Sequence, residues 1–244
     1  MALIPVLSRP QLEIINRRSL KYPLQIAEKD YFLALVMQII SKSHLRDTLV
    51  FKGGTALHHC YLEQSRFSED LDFSSSRKNL SLEEVRGIFS GVSFLSIKKD
   101  HQSEATIKIE RLQYLGPLTQ PNSLKVEIDF LQNVLLPPKN LQYHNLWGLD
   151  FSVQIMDERE ICAEKIRAMS DRARYRDFYD LFLLTERYSI DLDEVVSYIH
   201  RKEIRKPITK TNIVHNWSII NTQNVAEMSQ IYYSYRIDNA HIDQ

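Results

Sequence analysis

Only six glycines occur in 244 residues, and two of them, Gly53 and Gly54, stand side by side. They interrupt "TLVFKGGTALHHCYLEQ", in which a β-branched, apolar run gives way to a helix-forming one. A chain with so few unrestricted positions has few places to reverse direction tightly. The pair therefore predicts a short strand, a tight turn and a helix, in that order. Downstream, "EDLDFS" alternates as a strand does. Residues two apart on a strand share a face, so Asp70 and Asp72 project together while Leu71 and Phe73 turn to the core.

Each half of this stretch has a plain reading, as a turn and as a solvated strand face. Taken in order, they suit one task. Adjacent carboxylates repel unless a cation lies between them. Hard ions such as Mg²⁺ or Mn²⁺ take oxygen ligands, often one or two carboxylates plus substrate phosphates. Gly53 and Gly54 let a phosphate approach backbone N–H groups, and the helix starting near Thr55 turns its positive end to the same anion. A third acid fits. "KVEIDF" places Lys125, Glu127 and Asp129 on one face. If this strand pairs beside the Asp70–Asp72 strand, Asp129 completes a carboxylate triad of the kind used in two-metal phosphoryl chemistry. Otherwise it is an ordinary exposed face.

The remaining pattern predicts an α+β chain. "QIAEKDYFLALVMQIIS" reads as a buried helix. Ser81 and Glu84 form a capping box ahead of "LEEVRGIF". Three alternating runs, "VSFLSIKK", "ATIKIERL" and "LKVEIDFL", read as neighbouring strands of a half-buried sheet. "LLPPKN" punctuates, and from Asp157 onward the pattern is helical. The expectation is a mixed sheet flanked by helices over residues 1–155, followed by a helical domain over 156–244. Composition, 43% hydrophobic and 25% charged with zero formal net charge, suits a folded soluble protein and confines any polyanion site to a local patch. Cys60 and Cys162 make no disulfide framework. The sequence start lacks signal-peptide character, and no apolar run is long enough to span a bilayer, so a cytoplasmic location is expected.

A second cluster lies beyond Asp157, which with Glu160 reads as a helix cap. Ile161, Cys162, Ile166, Met169 and Ala173 form an apolar arc, with Glu164, Arg167 and Asp171 opposite as solvated residues. Lys165 falls inside the arc. It either snorkels past the core edge or points into a polar cleft where an anion binds. Arg172, Arg174 and Arg176 crowd the helix end around Tyr175. They are either stabilising charges at a helix C-terminus or a patch that accepts RNA phosphates and stacks a base. Arg66 and Ser68 are candidates for phosphate contact or for turn chemistry. His58, His59 and Cys60 diverge around their helix and do not suit a metal. Tyr232, Tyr233 and Tyr235 read as packing residues.

The wording of several segments, "EKDYFL", "KGGTAL", "RFSEDLDF", "VEIDF" and "AEKIRAMSDRARYRDFYDL", resembles the AbiEii/AbiGii nucleotidyltransferase toxins. This family lies within the DNA polymerase β-like nucleotidyltransferase superfamily and acts in abortive infection, a phage defence, and in type IV toxin–antitoxin systems. The resemblance covers residues 28–184. It implies a nucleotidyltransferase core with a helical C-terminal domain. It implies an NTP-dependent, Mg²⁺-dependent enzyme that adds nucleotides to the 3′ end of tRNA, blocks translation and is neutralised by a cognate antitoxin. Carried over, Gly53, Gly54 and Thr55 are the phosphate loop. Asp70 and Asp72 hold metal, with Asp129 as the third ligand that strand parity suggests, and Lys165 contacts nucleotide phosphate. Asp177 is the acid of the last motif, with Asp180 as the competing assignment. The rival readings are a nucleotidyltransferase modifying a protein or an antibiotic, and a non-catalytic nucleotide-binding protein.

Overall fold

The structure is a computed structural model that describes residues 5–131, 133–202, 206–223, 231–233 and 242. Two helices, α1 (Arg9–Arg18) and α2 (Leu24–Ser41), precede β1 (Leu49–Lys52), α3 (Gly53–Cys60), β2 (Asp70–Ser75) and α4 (Leu82–Phe89). Then come β3 (Leu95–Gln102), β4 (Thr106–Leu115), β5 (Pro121–Asp129), β6 (Lys139–Gln142) and β7 (Ser152–Ile155). Helices α5 (Glu158–Asp171), α6 (Tyr175–Arg187), α7 (Leu192–Arg201) and α8 (Lys210–Gln223) follow.

The strands form one mixed sheet in the order β3-β4-β5-β2-β1-β7-β6. The β2–β5 and β1–β7 pairs are parallel, and the others antiparallel. The three alternating runs are indeed neighbours in the sheet, with β5 as the bridge to the acidic strand β2. Helix α1 and strands β6 and β7 go beyond what the sequence pattern predicts.

Local chemistry explains the element ends. Ser81 accepts the Glu84 N–H at 3.2 Å while Glu84 accepts the Ser81 N–H at 2.9 Å, closing the expected capping box of α4. Asp157 caps α5 by accepting the Arg159 N–H at 3.0 Å. Helix α2 is buried on nearly all sides, as its all-round apolar sequence requires. Its two buried acids are satisfied. Glu28 accepts the Leu118 N–H, and Asp30 accepts from Gln64 and Trp147.

One cluster of buried apolar side chains runs from the sheet (Phe51, Phe73, Ile128) into the C-terminal helices (Ile161, Cys162, Leu184, Tyr198). A second, smaller cluster joins Met169, Tyr175, Phe178, Tyr179 and Ile220 with Trp217 and Tyr233. Tyr233 is thus a packing residue, as expected, and Tyr235 lies outside the described residues. No helix among the described residues is long and apolar enough to cross a membrane.

Candidate active site

The turn after β1 sets the floor of a cleft of about 450 Å³ between the sheet and helices α5 and α6. Gly53 has φ +78°, a backbone state that favours glycine. A Cβ there would stand 2.7 Å from Asp72 Oδ2. A Cβ on Gly54 would stand 2.9 Å from both Arg66 Nη2 and Ser68 Oγ. The missing side chains therefore let the turn close onto the acids and onto Arg66. No side chain caps the first turn of α3, and both glycines line the cleft. An anion has access there to unsatisfied amides. Thr55 lies deeper. It is buried, and its hydroxyl donates to the Asp70 carbonyl at 2.5 Å and lies 3.0 Å from Ser68 Oγ. It ties the turn to β2.

Asp70 and Asp72 share the cleft face, as strand parity predicts. Burial, then repulsion from Asp70 and Glu127, lifts the Asp72 carboxyl to about 6. Strands β2 and β5 pair, but the register sets Glu127 beside Asp72 and Asp129 beside Ser74, two pairs further along. Asp129 Oδ2 meets Lys52 Nζ at 3.2 Å, and Asp129 Oδ1 accepts the Leu131 N–H at 2.8 Å. Glu127 is held by Lys108 and Lys125, each at 3.0 Å. Although burial raises its carboxyl, these bonds bring it below the ordinary value. Among the described residues, no three Asp, Glu, His or Cys side chains already converge as a metal cage. Asp70 and Asp72 nonetheless offer the carboxylate oxygens that a hard divalent cation takes, and burial, with repulsion from Asp70 and Glu127, raises Asp72 despite Lys125 and Lys52.

The opposite wall is basic. Lys165 is buried, and its Nζ lies 3.0 Å from Asp177 Oδ1 and 2.6 Å from Asp180 Oδ2. It points into the polar cleft and does not snorkel to the surface. Asp180 is fully buried and gathers three cationic or N–H partners. Arg66 donates through Nε at 2.7 Å and Nη2 at 2.6 Å, and His58 Nε2 lies at 2.8 Å, beside Lys165. Burial raises this carboxyl, but Arg66 and Lys165 outweigh it and hold Asp180 well below the usual range. Burial, then Arg66, pushes His58 down to about 4, so it is neutral and its Nε2–H donates. Asp177 lines the cleft itself, while Asp180 sits behind it. Asp177 also accepts from Arg172 at 2.9 Å and is held ionised by Lys165 and Arg172 against the effect of burial.

Arg172, Arg174 and Arg176 line the same cleft, joined by Arg167. Tyr175, between them in sequence, is 2% exposed and packs against Tyr179, Trp217 and Tyr233. It is therefore a core residue and cannot stack a base. Glu164 does not lie on a solvated face. It faces the cleft, 3.6 Å from Lys52 and 2.8 Å from Lys202, and these cations bring it to about 2 although burial raises it. His59 Nδ1 lies 2.8 Å from the His144 carbonyl, and Cys60 is buried. Lys52 and Glu164 are cleft residues that periodicity alone misses, and Glu127 is one that alternation puts on the polar face of β5 without giving it a role. The parity of Glu127 with Asp72, and the position of Lys52 directly before the glycines, are the available signals.

An acidic wall, a basic wall and a capless helix end around one cleft suit the transfer of a phosphate-bearing group. The fold is similar to MenT4, a nucleotidyltransferase toxin from Mycobacterium tuberculosis H37Rv, with TM-score 0.62 and 19% identity over 89% of this chain and 92% of that one. It is also similar to a protein from H. pylori described as a nucleotidyltransferase, with TM-score 0.54 and 21% identity over 83% and 87% of the two chains. No curated protein matches the sequence. The family model described as "Nucleotidyl transferase AbiEii toxin, Type IV TA system" matches residues 34–227, and the chain belongs to that family of nucleotidyltransferase toxins.

Proposed function

We propose that the protein transfers a nucleotide from an NTP to the 3′ end of tRNA, with Mg²⁺ or Mn²⁺. The transfer would block translation in the cytoplasm until a cognate antitoxin binds. The observation that carries this reading is the opposition of acids and cations across one cleft. Asp70 and Asp72 face Lys165, Arg172, Arg174 and Arg176 there. We also read residues 1–155 as the nucleotidyltransferase part and 156–244 as the helical part that adds Lys165 and Asp177 to it.

Asp70 and Asp72 would hold a divalent ion, which would neutralise charge on the triphosphate and acidify the attacking hydroxyl. The chain does the rest. The amides of Gly53 and Gly54 receive phosphate oxygens. Lys165, fixed by Asp177 and Asp180, stabilises charge that builds on the leaving pyrophosphate. Arg66 and Ser68 border the turn, and Arg66 is locked by Asp180. The acceptor oxygen attacks the α-phosphorus, its proton is lost to an acid of the β2 wall, and the bond to the bridging oxygen of pyrophosphate breaks. Arg172, Arg174 and Arg176 at the cleft mouth engage the RNA backbone.

The test is transfer of label from each α-labelled NTP to total tRNA with Mg²⁺, beside Asp70→Ala. Label in tRNA with wild type alone supports the reading. Label only in protein or in a small acceptor such as an antibiotic would replace the acceptor class. No transfer to any acceptor would leave a nucleotide-binding protein.

A further inference from the structure

Lys52 ends β1 and is paired with Asp72. Glu127, Asp72 and Lys52 therefore form one row across the sheet, and Asp129, Ser74 and Val50 the next. Lys52 is 8% exposed. Its ammonium nonetheless meets Asp129, in the other row and on the far side of β2. Adjacent strands lie about 4.8 Å apart, so the two steps from β1 to β5 span about 10 Å. A lysine crosses that span to an aspartate only when extended.

The crossing is fixed at both ends. Asp129 is held by the Leu131 N–H as well as by Lys52. On the other side Lys52 faces Glu164, which Lys202 holds at 2.8 Å. Lys202 is itself buried, and it also binds Glu160 at 2.8 Å, whose two oxygens accept the N–H groups of Leu135 and Leu136. Charges alternate in sign from Asp129 through Lys52, Glu164 and Lys202 to Glu160. The carboxylates of Asp70 and Asp72 are different, since neither forms a hydrogen bond or ion pair with the described residues.

We propose that Lys52 is a positioning residue: it is the resident counter-ion of Asp129, so that Asp129 braces the cleft floor while the divalent ion rests on Asp70 and Asp72. A dication at Asp129 would press against an ammonium that Glu164 and its partners hold in place. Removing the ammonium would turn Asp129 into an added carboxylate beside the other two.

The inference rests on the metal reading above, and Mn²⁺ binding to the full-length protein without nucleotide tests both. Free Mn²⁺ is followed by its electron paramagnetic resonance signal. Asp129→Asn should leave the dissociation constant within about threefold of wild type, whereas Asp72→Asn should weaken it by about tenfold or more. Lys52→Met should tighten binding by about threefold to tenfold, because affinity rises with the carboxylate count. The double variant Lys52→Met/Asp129→Asn should return to the wild-type value, and Lys52→Arg should match wild type throughout. Loss of Mn²⁺ affinity in Asp129→Asn comparable to that in Asp72→Asn would overturn the inference and leave the metal reading standing. So would weaker binding in Lys52→Met. If Lys52→Met does not fold, Asp129→Asn and Lys52→Arg decide alone. Wild type that binds no Mn²⁺, or binding indifferent to Asp70→Asn and Asp72→Asn, would remove the metal reading and the inference with it.

Discussion

Replacing Asp72 by Asn should make the metal-free protein more stable while abolishing transfer. Folding places the Asp72 carboxyl where burial, Asp70 and Glu127 all disfavour its charge, and this lifts it from 3.8 to about 6. At about 1.36 kcal/mol per pH unit, that displacement corresponds to about 3 kcal/mol of destabilisation at pH well above 6. The side chain keeps an edge in solvent, so screening reduces the figure, and we expect a gain of about 1–2 kcal/mol from an uncharged side chain of the same shape. For a chain of this size that is a rise in Tm of about 2–8 °C. The sign follows from the direction of the shift. An acid raised by folding destabilises fully above its folded value, and that cost fades as pH falls toward its unfolded value. The gap between variant and wild type should be widest near pH 8 and close near pH 4. Melting curves at pH 8, 6 and 4 without divalent ions measure it, and added Mn²⁺ should then raise the Tm of wild type alone. A variant that melts at or below wild type near pH 8, or a gap that persists near pH 4, would refute the reasoning.

Other substitutions probe the remaining parts. Gly53→Ala places a Cβ 2.7 Å from Asp72 Oδ2 at a φ of +78°. It should cost about 2 kcal/mol or more in urea unfolding and most of the transfer activity; wild-type stability would show that the turn relaxes freely. Asp180→Asn leaves Arg66 and Lys165 without their shared buried anion. It should cost about 3–5 kcal/mol, and a loss below about 1 kcal/mol would mean that the cations find other partners. Arg174→Glu/Arg176→Glu should weaken tRNA binding and lower the slope of log affinity against log salt by about 2. An unchanged slope in filter binding would place the RNA elsewhere.

Local signals in the chain were sufficient for what local physics decides. The buried helix α2, the β1–α3–β2 unit, the box at Ser81 and the cap at Asp157 all follow from neighbours a few residues apart. The shared face of Asp70 and Asp72 follows from strand parity. What stayed hidden depends on distant partners. A helical wheel puts Glu164 in solvent because its counter-ions, Lys52 and Lys202, come from a strand far upstream and from the end of α7. The same limit hid the inward turn of Tyr175, which Trp217 and Tyr233 enclose. Parity places Glu127 and Asp129 on one face but leaves the register open. The β2–β5 pairing, which sets Glu127 beside Asp72, exists only in the assembled sheet. Strands β6 and β7 are four residues each, too short to carry a period.

The walls of the cleft come from opposite parts of the chain, and a ribosome makes them in a fixed order. The glycine turn and both acids of β2 emerge first. Lys165, Asp177 and Asp180, which complete the basic wall and lock Arg66, follow roughly a hundred residues later, an interval of roughly 5–20 s at ordinary rates of elongation. Throughout it the nascent chain carries the acids without their opposing cations. A product truncated before α5 has no second wall at all. For an enzyme whose family acts as toxins, the order of synthesis itself delays the moment at which the site can be assembled.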